Sequence, residues 1–241
     1  MKLMLLFVIF ICLAGCAVMD ISTLDTAKPM YPDRVKADVY LNVAPNYSSG
    51  FFLTDEELTY VQEHDDFYSN DLSASLLSGY RLGLAINERL DIHARYYETG
   101  LCRGGKIGIK SLIHHSDNVY HAFLPTITFM VGKSNHMANG ENYVNRYSSL
   151  GGEFSYLASS EMSRYFTATA SARINASIYD QNVFNKDFET KTIVHGGLCG
   201  NLRLKISPIY AIFEIGIEAL TNHEMDVTLS PNSGMAIGLQ F

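Results

Sequence analysis

Residues 166–178 read FTATASARINASI, and nearly every second position in this stretch is apolar. Phe166, Ala168 and Ile174 belong to one alternating set, whereas Arg173 and Asn175 belong to the other. Successive side chains of a β-strand point to opposite faces, so this pattern predicts a strand with one apolar and one polar face. The stretch therefore favours a sheet protein in which each strand separates two different environments.

The same alternation recurs along the chain and predicts an all-β protein, a closed antiparallel transmembrane β-barrel of about ten strands, with about 8–12 compatible. The predicted strands are 37–45, 74–86, 90–99, 103–113, 119–132, 146–158, 163–178, 190–206, 209–220 and 232–241. Most are longer than the roughly 5–6 residues usual in globular proteins and match the roughly 9–11 that cross a bilayer when tilted. Pro125 lacks an N–H donor, so a bulge or a shorter strand is expected within 119–132.

The connections between the predicted strands alternate in length. Those at 87–89, 114–118, 159–162 and 207–208 are short, those at 46–73, 133–145, 179–189 and 221–231 are long, and 100–102 departs from the alternation. Short periplasmic turns opposite long outer loops are typical of outer-membrane barrels. An even number of strands then leaves both ends of the barrel on the periplasmic side.

Two segments resemble known outer-membrane sequences. The last nine residues, SGMAIGLQF (233–241), resemble the terminal strand of Gram-negative outer-membrane barrels, and GYRLGLAINERLDIHARYY (79–97) resembles a hairpin of small barrels of that kind. The resemblance implies a barrel in the outer membrane, with Phe241 as the signal read by the barrel-insertion machinery, and it implies no particular activity. Aromatic residues near strand ends are expected to form interfacial girdles. These are Tyr80, Tyr96, Phe154, Tyr156, Tyr165, Phe166, Phe213 and Phe241.

The chain opens MKLMLLFVIFICLAGC (1–16), an apolar run after Lys2 that ends in small residues and a cysteine. The run is too short to span a bilayer and has the form of a signal peptide. Its end resembles the bacterial lipobox, and this resemblance implies a lipoprotein in which Cys16 carries a diacylglycerol thioether and an N-acyl chain such as palmitate. Ala17 in place of Asp favours outer-membrane sorting by the lipoprotein-sorting machinery. An ordinary secreted protein or an uncleaved anchor is the alternative.

These observations divide the chain into a signal peptide (1–15), a lipidated periplasmic tether (16–36) containing Pro29 and Pro32, and the barrel (37–241). The lipid on Cys16 is expected in the leaflet on the periplasmic side. Cys102 and Cys199 remain in an oxidising compartment, where one disulfide is possible. Their positions, in a Gly-rich connection and in the middle of a strand, disfavour the pairing.

Charge and composition exclude two classes of function. The net charge of −7 over 241 residues and the absence of a basic run argue against nucleic-acid binding. The single long apolar stretch excludes a helical membrane bundle. Within the barrel, a network of opposite charges is predicted to fill the lumen, because buried charges must be paired. Its members are Asp38, Arg81, Asp91, Arg95, Lys106, Lys110, Glu153, Arg173, Arg203, Lys205, Glu214 and Glu218. A charge-selective pore is the alternative.

Loop 46–73 is the longest insertion. Thr54 and Glu57 form a capping-box pattern, and Leu58 and Val61 predict a short amphipathic helix behind it. The acidic run Glu63-His64-Asp65-Asp66 could hold a divalent cation, but the spacing of an EF-hand is missing. A solvated acidic loop without metal is the favoured interpretation.

Barrel enzymes supply a further alternative. Omptin proteases use Asp and His pairs at the outer rim, and His223 with Asp226, or His64 with Asp65 and Asp66, do not match their spacing. Lipid hydrolases of the outer membrane use a Ser–His dyad, for which His121 and His195 are candidates without a partner fixed by spacing. His114 and His115 are expected in a solvated turn. Catalysis is therefore not expected.

The favoured hypothesis is a lipid-anchored outer-membrane β-barrel with a structural, surface-binding or narrow solute-passage role. Its expected partners are outer-membrane lipids and the insertion and sorting machineries, with no nucleic acid, no metal and no cofactor beyond the lipid on Cys16. The alternative is a soluble periplasmic barrel lipoprotein that holds a hydrophobic ligand, with its apolar face turned inward. A barrel enzyme acting on lipid or peptide is the third hypothesis.

Overall fold

A computed structural model describes residues 16–18, 22–30, 34–48, 53–63, 72–99, 102–138, 141–221 and 227–241. The signal peptide, Pro32, His64–Asp66, His223 and Asp226 lie outside these residues. The elements are β1 (Cys16–Val18), β2 (Val35–Ser48), α1 (Asp55–Gln62), β3 (Leu72–Ala85), β4 (Leu90–Glu98), β5 (Cys102–Ser116), β6 (Val119–Ala138), β7 (Glu141–Glu161), β8 (Phe166–Val183), β9 (Lys186–Asp187), β10 (Lys191–Ile206), β11 (Ile209–Thr221) and β12 (Val227–Gln240).

Strands β2–β8 and β10–β12 form a closed antiparallel barrel of ten strands. Each strand pairs with the next in sequence, and β2 closes the barrel by pairing with both β12 and β3. At the seam, the N–H of Val35 donates to the carbonyl of Phe241 at 3.2 Å, and the N–H of Phe241 donates back at 3.0 Å. The predicted barrel class and the ten predicted strands are confirmed, and β6, β7 and β8 run further into the long connections than predicted.

The strand containing Pro125 is not shortened. It extends over Val119–Ala138, and Pro125 stands opposite Phe154 in an unbroken register with β7. On the other side the ladder with β5 has no partners between the pairs Gly108–Thr126 and Ser111–Phe123, and its register shifts between Leu112 and His114. The expected irregularity therefore falls on the β5 side, where the imino acid cannot donate a ladder hydrogen bond.

The outer face of the wall is apolar, and the inner face carries the buried charges together with a cluster of apolar and aromatic side chains. Ile215 and Leu198 are 72% and 63% exposed, whereas Arg81 and Glu218 are 1% and 0% exposed. The predicted girdle aromatics are all on the exposed side, from Tyr156 at 36% to Phe241 at 64%. The alternative of a soluble barrel does not fit this wall, because large apolar side chains are exposed all along its outer face. An exposed apolar band on a barrel closed on itself is what a bilayer requires.

The predicted cap of loop 46–73 is confirmed. Helix α1 begins after Thr54, whose side chain accepts from the N–H of Glu57, and the Glu57 carboxylate accepts from the N–H of Thr54. Among the described residues, no helix has both the length and the apolar character needed to span a membrane.

The segment predicted as a periplasmic tether lies elsewhere. Its residues 22–30 are inside the barrel, and Ser22 through Ala27 are each at most 3% exposed. The prediction assumed that a polar segment without strand periodicity would be solvated, but polar side chains of the wall replace water around it. Cys102 and Cys199 are both buried and free, so the possible disulfide is absent.

Candidate functional site: the closed lumen

Residues 22–30, which we call the strap, run through the lumen without joining the sheet. A buried segment without a ladder must find a partner for each backbone N–H and carbonyl. The wall supplies them: the Glu214 carboxylate accepts from the N–H of Thr23 at 2.9 Å and of Leu24 at 2.6 Å. Arg95 donates to the carbonyls of Ser22 and Thr23, and Arg81 donates to that of Leu24.

Residues 25–30 of the strap are bound in the same way. The N–H of Ala27 donates to Ser159 Oγ at 2.7 Å, and Asn201 Nδ2 donates to the Asp25 carbonyl at 2.9 Å. Lys110 Nζ donates to the Thr26 carbonyl at 3.0 Å. The N–H of Met30 donates to Asp91 Oδ2 at 3.2 Å. Side chains from β3, β4, β5, β7, β10 and β11 therefore bind the backbone of this one segment, so the strap is ordered by contacts on several sides of the wall.

Asp25 is the charged centre of the strap. Its Oδ1 lies 3.0 Å from Lys36 Nζ and 3.5 Å from Lys110 Nζ, and its Oδ2 lies 3.2 Å from Nδ1 of His93. All four side chains are at most 6% exposed. Without Asp25, Lys36 and Lys110 would lack part of their compensating charge, so the strap completes the electrostatics of the lumen.

The remaining lumen charges pair across the wall. Arg81 Nη2 lies 2.6 Å from Asp38 Oδ2, Lys106 Nζ lies 2.8 Å from Glu153 Oε2, and Lys110 Nζ lies 2.9 Å from Asp91 Oδ2. Glu218 accepts from Arg173 Nη2 at 2.6 Å, and its other oxygen lies 2.6 Å from His195 Nδ1. Arg203 and Lys205 both donate to the Gln240 side chain, at 2.6 and 3.2 Å.

The lumen residues proposed from the sequence thus face the interior, and the structure adds others to them. The additional residues are Asp25, Lys36, His93, His195 and Gln240. Lys36 occupies an inward position of β2 just before the first predicted strand position, so a longer prediction for that strand would have included it. Asp25 carried no sequence signal, because its partners are set by tertiary contacts alone.

Little free space is left around the buried residues 22–27 of the strap, whereas a cavity of about 490 Å³ opens beside Lys28, Pro29 and Met30 at its end. One cavity of about 20 Å³ lies between the strap and residues including Arg81, Lys106 and Glu153, and another of about 70 Å³ lies near Lys36 and Arg203. A cavity of that size holds one or a few water molecules. Within the part of the chain that the structure describes, these spaces do not amount to a channel wide enough for a solute.

The outer half of the lumen is filled by apolar and aromatic side chains and covered by α1. Val61 of the helix is 0% exposed and packs with Phe184 and Phe188 in one buried cluster. Tyr60 meets Phe188 edge-on, with ring centroids 6.1 Å apart, and Lys186 Nζ lies 4.2 Å from the Tyr60 centroid. The helix therefore covers the outer mouth of the barrel, above the strap.

Glu57 anchors α1 to the wall through an ion pair with Lys191. Burial raises the pKa of Glu57, but the hydrogen bonds from Lys191 and Thr54 outweigh this effect and hold the pKa below its ordinary value of 4.5. A lowered folded-state pKa stabilises the helix above the unfolded value, and that stabilisation is lost as the pH falls through the folded value.

We therefore expect α1 to stay protected from hydrogen exchange at neutral pH and to lose protection only below about pH 4.5. Lys191→Ala should reduce the protection of residues 55–62 already at pH 7, because Glu57 then lacks its cation. Hydrogen exchange followed by mass spectrometry measures both effects, with Lys133→Ala as a control lysine on the same rim. Unchanged protection in Lys191→Ala at pH 7 would contradict the anchoring role.

A larger cavity of about 940 Å³ opens at the outer rim between β4 and β9. Three cations line it: Arg103, Lys133 and Arg146. None of them forms an ion pair with another residue that the structure describes. The carboxylates that share the cavity have donors of their own, since Tyr96 donates to Glu98, Thr190 to Asp180 and Asn182 to Asp187.

The histidines considered for catalysis occupy separate places. His121 Nδ1 lies 2.6 Å from the Tyr156 hydroxyl on the outward face, and His195 is bound to Glu218 inside the lumen. His114 and His115 belong to the end of β5 rather than to a turn, and His115 stacks on Tyr120 with centroids 4.4 Å apart. Among the described residues, no group of three or more Cys, His, Asp or Glu could hold a metal ion.

The fold and the filled lumen define the class: a transmembrane β-barrel plugged by a segment of its own chain. No protein-family model and no curated protein sequence matches the chain. Among solved structures, it is similar to the outer-membrane protease OmpT from Escherichia coli (8% identity, 90% of this chain and 99% of that chain, TM-score 0.42). It is also similar to the translocator domain of the autotransporter NalP from Neisseria meningitidis (10% identity, 86% and 87%, TM-score 0.45). A third is the outer-membrane channel DcaP of Acinetobacter baumannii (7% identity, 89% and 100%, TM-score 0.21).

Proposed function

We propose that this protein is a lipid-anchored outer-membrane barrel that does not conduct solutes and acts at the cell surface. The observation that carries the proposal is the strap, because its backbone is hydrogen-bonded to wall residues from six strands and little free space surrounds its buried residues 22–27. The exposed apolar band, the aromatic girdles and the short turns at one end support the outer membrane as its location. Cys16 lipidation follows from the lipobox resemblance, and no catalysis is part of the proposal.

Planar-bilayer recording of the purified full-length chain tests the closed lumen. The expected result is a flat current trace after insertion, because the strap and α1 fill the lumen. Insertion is checked independently by the shift in gel mobility between unheated and heated samples. Sustained single-channel steps from the intact chain would contradict the proposal and favour narrow solute passage.

The rim cavity favours a binding role at the surface. Lys133 of β6 stands directly opposite Arg146 of β7, and like charges in that position are destabilising. Arg103 stands opposite Val131, two residues from Lys133, so a third cation lies on the neighbouring strand. An anion placed among the three would relieve this repulsion. Because all three occupy outward-facing positions above the apolar band, we propose the phosphate of an outer-leaflet glycolipid as the ligand.

Replacing Lys133 and Arg146 together by Gln should weaken the binding of a phosphorylated glucosamine-disaccharide lipid at least about tenfold. A charge-assisted hydrogen bond contributes about 1.5–3 kcal/mol, so the loss of two supports an effect of that size. Binding would be measured to the purified barrel in detergent, with the dephosphorylated lipid and inorganic phosphate as parallel probes. The matched control is Arg89→Gln, which removes an exposed cation from the β3–β4 turn. An equal loss of binding in that variant would contradict the proposed site.

A further inference from the structure

The two ends of the barrel can be told apart by their connections. At one end lie short turns, including 117–118, 162–165 and 207–208, together with the start of β2 and Phe241. At the other end lie the longest connection, 49–71 with α1, the segment 184–190 with β9, and the end of β2 at Ser48. Short turns face the periplasm in outer-membrane barrels, so the end of β2 at Ser48 faces outward from the cell.

Strand β1 lies at the outer end. Cys16 pairs with Ser48, Ala17 with Tyr47 and Val18 with Asn46, in antiparallel orientation. Strand β12 reaches only as far as Val43 on the same β2, whereas β3 continues to Tyr47 on its other side. The outer end of β2 therefore has an edge that β12 does not occupy, and β1 fills it.

The strap descends from there toward the periplasmic end. Ser22 is bound by Arg95, five residues above the turn-side start of β4, and Met30 is bound by Asp91, next to that start. Lys28 Nζ lies 2.7 Å from Glu161, the last residue of β7 at the short-turn end. Extended chain covers about 3.3–3.6 Å per residue, so residues 16–30 are long enough to cross a hydrocarbon core of about 30 Å.

We infer that the mature amino terminus opens at the outer face of the membrane, after the chain has passed through its own barrel. The acyl chains on Cys16 would then enter the outer leaflet, not the leaflet on the periplasmic side as the sequence suggested. This inference rests on the proposed outer-membrane location and deepens it, because it makes the protein a surface lipoprotein whose barrel carries its own lipidated end. The strap would then close the lumen through which the amino terminus reaches the surface.

Labelling of intact cells with a membrane-impermeant maleimide tests the inference. Single-cysteine additions would be placed at Ala17 and at Val18, at Glu56 on α1 and at Asn87 in the β3–β4 turn. Two neighbouring positions of β1 are used because successive strand residues point to opposite faces. The wild-type chain, whose Cys102 and Cys199 are buried, gives the background. Each variant is compared before and after the outer membrane is permeabilised.

The expected result is that Glu56→Cys and at least one of Ala17→Cys and Val18→Cys label equally in intact and permeabilised cells. Asn87→Cys should label only after permeabilisation. If both β1 variants require permeabilisation while Glu56→Cys does not, the inference fails and the proposed outer-membrane barrel stands. If Glu56→Cys is silent in intact cells, or Asn87→Cys is labelled there, the orientation itself is wrong and the inference falls with it.

Discussion

Deleting residues 17–30, with Cys16 joined directly to Tyr31, should convert a closed barrel into a conducting one. The strap is the only described segment that crosses the charged half of the lumen, and its removal leaves Glu214, Arg95 and Lys36 facing an unfilled tube. Water then solvates these charges, because buried charges without partners are costly. In planar bilayers we expect discrete current steps from the deletion variant where the full-length chain gives none.

Two further variants protect this test against misfolding. Asp25→Ala keeps the chain intact but removes the carboxylate shared by Lys36, Lys110 and His93, so it should show intermittent openings. A double variant, Thr23→Cys with Ser171→Cys, should lock the strap, because Ser171 Oγ lies 3.3 Å from Thr23 Oγ1 and the two sulfurs could bond. The oxidised form should remain closed and migrate differently on non-reducing gels.

A deletion variant that shows the heat-dependent gel shift of a folded barrel and yet gives a flat current trace would show that the strap does not close the lumen. Failure of the Thr23–Ser171 disulfide to form under oxidising conditions would contradict the close approach of Thr23 to Ser171.

The barrel could be predicted because its information is local. A membrane strand must present apolar residues to lipid at every second position, so the alternation seen at 166–178 can be recognised in each strand separately. The capping box at Thr54 and Glu57 is local as well, because its two residues lie three positions apart, and the structure confirms it. The outward extension of β6 and β7 was missed because their ends lie beyond the lipid-facing band, where the alternation is no longer required.

The strap could not be predicted, because nothing in its own sequence marks it. Its residues STLDTAKPM (22–30) have no strand or helix period, and their order comes from partners such as Glu214, about 190 positions away in the chain. A polar segment with two nearby prolines has the same composition whether it is solvated by water or by the wall of a barrel.

The charge pairs were predictable as a set but not as partners. Asp38 and Arg81 meet because β2 and β3 place them directly opposite, and a shift of register would separate them. Lys106 of β5 and Glu153 of β7 meet across the intervening β6, at a point where Thr126 stands opposite Glu153. Register is set by turn geometry and bulges, such as the shift near His114, and these are not readable from residue types.

Glu218→Ala is expected to have the largest effect on stability of any single substitution in the wall. Glu218 is 0% exposed, and its two oxygens hold the Arg173 guanidinium and the His195 ring, at 2.6 Å each. Its removal leaves the Arg173 guanidinium, 1% exposed, without its closest anion. Breaking a buried ion pair from one side costs about 3–5 kcal/mol, because the remaining charge has neither water nor partner.

Urea unfolding of the purified barrel, followed by the heat-dependent gel shift, would measure that loss. Glu88→Ala in the exposed β3–β4 turn is the matched control and should stay within about 0.5 kcal/mol of the wild type. Glu218→Gln keeps the size and one hydrogen-bond acceptor but removes the charge, so its loss should fall between the two. A Glu218→Ala variant no less stable than Glu88→Ala would mean that water reaches Arg173. The lumen would then be wetter than the filled arrangement of strap and wall allows.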